Sequence, residues 1–156
     1  MAKEVIYWDS DAFIGLINKE IGKVEACEDV WAVAQKGQLV IVTSTLTSAE
    51  VIYSKGVPKM DIAKRPRIRN FFRDSFIVQK PLTRKIAELA TDVVWDCSIK
   101  AKDAIHVATA AYYGIAVIHT YDEDLLRAAQ VTVNGFTVKI IKPHAIRQLE
   151  LKDGEK

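Results

Sequence analysis

Short apolar runs alternate with stretches of helical periodicity along most of the chain. Val5 to Trp8 is a compact run of β-branched and aromatic residues ending at Asp9, and it predicts a buried strand. Leu39 to Thr43, Phe76 to Val78, Ala116 to His119 and Val138 to Ile141 repeat the pattern. Between them the apolar residues fall at helical spacing. Ala12-Phe13 and Leu16-Ile17 form one such set, Val24 to Gln35 a second stopped by Gly37, and 45–54 a third. Residues 59–73 predict a helix broken near Pro66, because proline removes an amide donor and clashes with the preceding turn. Thr83 to Trp95 is amphipathic, with Ile86, Leu89, Ala90 and Val93 on one face. Lys102 to Tyr113 is apolar nearly all round, as a deeply buried helix must be, and Gly114 ends it. A short helix over Glu123 to Ala129 completes the series.

Strands that are apolar throughout and alternate with helices predict an α/β fold with a parallel sheet covered on both faces. The chain has 156 residues, which fits one domain, with a core over about 4–142 and a polar tail over 143–156. Hydrophobic residues make up 49% and charged residues 27%, enough apolar material for a packed core. A net charge of +2 leaves the choice of partner open. Cys27 and Cys97 form neither a CxxC pair nor a zinc spacing, so they read as reduced core thiols. The first residues turn acidic before a signal-peptide core can form. The most apolar stretch, Ala104 to Ile118, contains His106 and Gly114 and falls short of the ~20 residues a membrane helix needs. A soluble cytoplasmic protein with no membrane partner is expected.

Candidate chemistry comes from four acids. Asp9 follows the first strand directly, and Asp122 lies three residues past His119. In a parallel sheet both stand at the carboxyl edge, where ligands gather. Glu50 lies in the helix entered from strand 39–43. Asp103 opens a helix that returns through a tight turn into strand 116–119, which brings its start beside the end of that strand. Each acid alone has a plain explanation. Glu50 fits a capping box with Thr47, Asp103 a helix dipole, and Asp9 and Asp122 helix caps. Caps, however, do not require carboxylates from four segments at one sheet edge. Such carboxylates raise one another's pKa unless a cation is present, and hard oxygen donors suit Mg²⁺ or Mn²⁺. Two such ions about 4 Å apart can activate water and stabilise a leaving oxygen in phosphodiester cleavage. No Ser-His-Asp or Cys-His set competes with this reading.

Four segments carry a family resemblance: Val5-Ile6-Tyr7-Trp8-Asp9-Ser10, Thr43 to Glu50, Lys102-Asp103-Ala104-Ile105-His106-Val107-Ala108-Thr109-Ala110, and Thr120-Tyr121-Asp122-Glu123-Asp124-Leu125. Lys80-Pro81-Leu82-Thr83 adds to them. In this order, over roughly 4–142, the chain resembles PIN-domain ribonucleases, particularly the VapC-like toxins of toxin–antitoxin systems. The resemblance implies a three-layer α/β/α domain with a five-stranded parallel sheet and Mg²⁺- or Mn²⁺-dependent endoribonuclease activity. It also implies a homodimer, often inhibited by a small antitoxin. By motif match Asp9, Glu50, Asp103 and Asp122 become catalytic metal ligands, Asp124 an extra ligand, and Ser10 and Thr120 supporting hydroxyls.

A basic segment, Lys55, Lys59, Lys64, Arg65, Arg67, Arg69 and Arg73 with Asp61 as its one acid, leaves the Glu50 helix and is expected to grip RNA. A solvated helix face explains the same charges. His106 reads as a packed histidine donating to a backbone group, and Trp31 and Trp95 as core or dimer contacts. Two other functions fit parts of the pattern. In a haloacid-dehalogenase-like phosphatase Asp9 would be the nucleophile, with Thr43 or Ser44 and Asp122 and Asp124 in support, leaving Glu50 and Asp103 unexplained. A PIN-like module could instead bind RNA or protein without cutting.

Overall fold

The computed structural model describes residues 3–52 and 60–145. Strands β1 (Glu4–Trp8), β2 (Leu39–Ser44), β3 (Ile77–Lys80), β4 (Val117–His119), β5 (Gln130–Val133) and β6 (Phe136–Ile141) form one sheet in the order β3-β2-β1-β4-β6-β5. Helices α1 (Ser10–Ile17), α2 (Val24–Gln35), α3 (Thr45–Glu50), α4 (Arg65–Arg73), α5 (Arg84–Cys97), α6 (Ala101–Tyr112) and α7 (Glu123–Ala128) connect them.

Alternation along β1 explains the layers. Ile6 and Trp8 point to one face, where α1, α2 and α4 supply Phe13, Ile17, Val30, Trp31 and Ile68. Tyr7 points to the other, where α5 and α6 supply Ile86, Leu89, Val93, Ala104 and Val107. The register Ile6↔Ile41, Tyr7↔Val42 and Tyr7↔Ile118 keeps apolar residues beside apolar residues across the central strands. The predicted three-layer α/β/α architecture and all five parallel strands are present.

A sixth strand is the main departure. β5 pairs antiparallel with β6 through Asn134 and Gly135, whose φ values are 48° and 79°. Positive φ at both central residues is what a two-residue type I′ hairpin demands, and Asn-Gly supplies it at least cost. Pro66 opens α4 rather than breaking a helix. It sits in the first turn behind a 3₁₀ turn at Ile62–Lys64, where its missing amide would be unpaired anyway. α3 ends at Glu50, and residues 53, 54 and 59 of the predicted helices lie outside the described residues.

Trp95 is 80% exposed and not a core residue, and Cys97 is also exposed. The buried stripe of α5 is Ile86, Leu89, Ala90 and Val93, and a residue two places past Val93 lies about 200° further round the helix. Cys97 is the last residue of α5, beyond the packed stripe. Trp31 and Cys27 are buried as expected. Among the described residues no helix is long and apolar enough to cross a membrane.

Ile118 is fully buried at the centre of the sheet. Ile118→Ala is expected to cost about 2–5 kcal/mol in urea unfolding. A loss well below 1 kcal/mol would contradict this packing.

Candidate active site

From β1 the chain lays β2 and β3 to one side and β4 and β6 to the other. The crevice between the carboxyl ends of β1 and β4 is therefore a topological switch point, where open α/β sheets bind ligands. Asp9 is the first residue after β1. Its Oδ1 accepts from the Ala12 amide at 3.1 Å, which makes it the N-cap of α1. Its Oδ2 accepts from the Thr120 hydroxyl at 2.5 Å. The Thr120 oxygen in turn accepts from the Asp122 amide at 2.9 Å, and Asp122 Oδ1 accepts from the Leu125 amide at 3.0 Å as the N-cap of α7. One threonine thus ties the acid after β1 to the acid after β4. On the other flank Thr43 of β2 donates to the Trp8 carbonyl at 2.7 Å, and Thr47 donates to Thr43 at 2.7 Å. Ser10 opens α1 and is half-buried.

Glu50 does not fold back on Thr47 in a capping box. Ser44 caps α3 instead, accepting from the Leu46 amide. Glu50 reaches across to α6, where its Oε1 meets His106 Nε2 at 2.6 Å. The other ring nitrogen, Nδ1, meets the Tyr7 hydroxyl at 2.6 Å. His106 therefore bonds two side chains rather than the expected backbone group. The reason is its place on the face of α6 that packs on Tyr7, with the end of α3 beside it. Burial and the nearby Asp9 charge push the Tyr7 hydroxyl well above its ordinary pKa, so it stays protonated beside the ring.

A model described as the PIN domain matches residues 6–131. The chain belongs to the PIN domain family. Similar solved structures agree on the fold. VapC20 of Mycobacterium tuberculosis, described as a toxin that cleaves the sarcin-ricin loop, is 17% identical with a TM-score of 0.61, covering 81% of this chain and 96% of that one. A toxin–antitoxin complex from Klebsiella pneumoniae is 18% identical with a TM-score of 0.56, covering 90% and 99%. VapBC2 of Rickettsia felis, bound to a promoter DNA fragment, is 13% identical with a TM-score of 0.61, covering 87% and 98%. No curated protein matches the chain.

In this PIN domain the acids share one electrostatic field. Burial raises the Asp9 pKa to about 7 and the charge of Asp11 adds to it, against relief from His106, Thr120 and the Ala12 amide. Burial also raises Asp103 to about 6, with further increments from Asp122, Asp11 and Glu50 and relief from His106. Burial alone would lower His106, but its bond to Glu50 and the charges of Asp9, Glu50 and Asp103 outweigh that, and the ring is held above its ordinary value. Asp11 and His106 thus belong with the four predicted acids. Asp11 was readable as the second acid of Asp9-Ser10-Asp11, and His106 as one helical turn past Asp103.

Among the described residues no three His, Cys, Asp or Glu side chains gather closely enough to hold an ion unaided. The donor set still fits a hydrated Mg²⁺ or Mn²⁺. Mg²⁺ in particular keeps several waters and takes one or two carboxylates plus substrate oxygens. The crowded charge on Asp103 is the kind of repulsion a cation relieves.

Asp124 stands apart. It meets Arg127 at 3.1 Å and Lys100 at 3.6 Å, and shares with Asp103 a cleft of about 390 Å³. Among the predicted RNA-binding residues, Lys64 donates to Asn18, the C-cap of α1, at 3.3 Å. That end is a whole eight-residue helix, roughly 12 Å, from Asp9. Arg65, Arg67 and Arg69 are exposed, with Arg67 over the Phe71 ring, and Lys55 and Lys59 lie outside the described residues.

The raised Asp103 pKa fixes the sign of a pH effect. Its folded value of about 6 exceeds the reference 3.8, so the folded protein binds more protons between these values and loses stability as pH rises through that window. In metal-free protein Asp103→Asn is expected to raise Tm at about pH 8 relative to the parent, a gain that vanishes near pH 4. A difference that does not change with pH would show Asp103 to be uncrowded. His106→Leu strands the Tyr7 hydroxyl and the Glu50 carboxylate and is expected to cost on the order of 1–3 kcal/mol in denaturant unfolding. A neutral result would mean that water replaces both bonds.

Proposed function

We propose that the chain is a divalent-metal-dependent endoribonuclease, the toxin of a toxin–antitoxin pair, acting in the cytoplasm as a homodimer held in check by a small antitoxin. One observation carries this reading: at the switch point of a PIN domain, Thr120 ties Asp9 to Asp122, and His106, one turn past Asp103 on α6, bonds Glu50. Similarity to toxin structures, one of them described as cleaving an RNA loop, supports RNA as the substrate and an antitoxin as the partner.

In this reading Asp9, Glu50, Asp103 and Asp122 hold Mg²⁺ or Mn²⁺. The ion supplies a Lewis acid that activates water and stabilises the leaving oxygen. The chain supplies orientation. Thr120 and the Ala12 amide fix Asp9, His106 fixes Glu50, and the Leu125 amide fixes Asp122. Asp124 is the weakest of the proposed ligands, since Arg127 and Lys100 already engage it. Cys27 does not compete as a nucleophile, as burial pushes its thiol up to about 12. A phosphatase mechanism would need Asp9 as an open nucleophile, yet Asp9 is 2% exposed and both of its oxygens accept hydrogen bonds.

Purified protein is expected to cut a mixed pool of structured and single-stranded RNA with Mg²⁺ or Mn²⁺ and not with EDTA. Asp103→Asn should lower the rate by about 100-fold or more, beyond the usual effect of disturbing a ligand's neighbour. Mn²⁺ should raise the melting temperature of the parent, as any ligand of the folded state does. Folded protein with neither cutting nor stabilisation would be a binding module, and cutting that survives Asp103→Asn would remove Asp103 from the site.

A further inference from the structure

A nuclease with an acidic centre has to hold a polyanion against its own charge. Cations do this only at short range, since the screening length at physiological salt is about 8 Å. The described part of the basic segment begins at the far end of α1 from Asp9. Two other cations lie closer to the acids. Lys100 is the N-cap of α6, three residues and therefore about one helical turn ahead of Asp103. Arg127 lies in the last turn of α7, the helix that Asp122 caps.

Both cations line the same cleft as Asp103, together with Ser98, Ile99 and Leu125. Asp124 bridges them, with Oδ1 on Arg127 at 3.1 Å and Oδ2 on Lys100 at 3.6 Å. The side chains of Lys100 and Arg127 are 81% and 75% exposed. Ion pairs this exposed contribute little, so an incoming phosphate can exchange with Asp124 at little cost. The cleft sets Lys100 and Arg127 against Asp103 and Asp124, and displacing Asp124 turns both cations toward an incoming phosphate. The guanidinium offers a fork that matches a phosphate, and the ammonium offers a point charge. At about 390 Å³ the cleft has the size of a small-ligand site.

We propose that Lys100 and Arg127 form a phosphate subsite for RNA beside Asp103, and that Asp124 is the counter-ion an incoming phosphate displaces. The assignment rests on the nuclease reading. It gives Asp124 a task other than metal binding, and it puts the backbone grip on the α5–α6 corner and α7 rather than on α4.

The test is the salt dependence of binding to a labelled single-stranded oligoribonucleotide, followed by anisotropy in EDTA so that no cutting intervenes. Each phosphate contact contributes about 0.7 to the slope of log affinity against log salt for a single strand. Lys100→Gln and Arg127→Gln should each reduce the slope by about 0.7, and the double variant by about 1.4. Asp124→Asn, which frees both cations, should tighten binding at low salt. Arg65→Gln with Arg67→Gln is the comparison arm. A slope that responds to the α4 pair and not to Lys100 or Arg127 overturns the subsite and leaves the nuclease reading intact. Weaker binding in Asp124→Asn overturns the counter-ion role. A parent that neither binds RNA here nor cuts it with Mn²⁺ overturns both readings together.

Discussion

The hydroxyl oxygen of Thr120 donates to the Asp9 carboxylate and accepts from the Asp122 amide, so a single atom ties the acid after β1 to the acid after β4. The site depends on that constraint. Asp9 is buried and carries a pKa raised to about 7 by desolvation, a state the fold tolerates because each of its oxygens has a fixed donor. Asp122 keeps its place over the crevice because the same threonine orients its amide while its side chain caps α7.

A second constraint works from the opposite layer. Tyr7, His106 and Glu50 form a chain of two short hydrogen bonds running from the underside of β1 through α6 to the end of α3. Such buried networks fix one arrangement when every member is satisfied. Here the network fixes the direction of Glu50, on a helix of six residues that could hardly orient it alone. The carboxylates are therefore held apart by rigid neighbours rather than by each other, and like-charge repulsion is retained in the folded protein.

The parallel strands were legible because their apolar runs are continuous and end at polar residues that mark the sheet edge, as Trp8 to Asp9 and His119 to Thr120 do. From those ends the meeting of Asp9 and Asp122 followed directly. β5 has no counterpart in the expected five-stranded sheet, although Val131-Thr132-Val133 and Phe136-Thr137-Val138 flank Asn134-Gly135, a hairpin signal plain in the sequence. Glu50 was placed correctly on its helix and given the wrong local partner. Capping boxes are local and readable, whereas its bond to His106 joins residues 56 apart. The basic segment shows the converse limit. Charge density is visible in a sequence, but the end of α1 to which Lys64 is tied is not.

The N-cap role of Asp9 has an evolutionary consequence. Asp9 holds the first turn of α1, and an uncapped helix start costs about 0.5–2 kcal/mol, so position 9 is under selection for folding whatever the chain does. Asp103 caps nothing, and burial together with its acidic neighbours disfavours its charge, so its loss is expected to relax the metal-free fold. A lineage that abandoned the chemistry would then keep Asp or Asn at position 9 while position 103 drifted. In such descendants a surviving first acid would testify to architecture, and only the third would testify to activity.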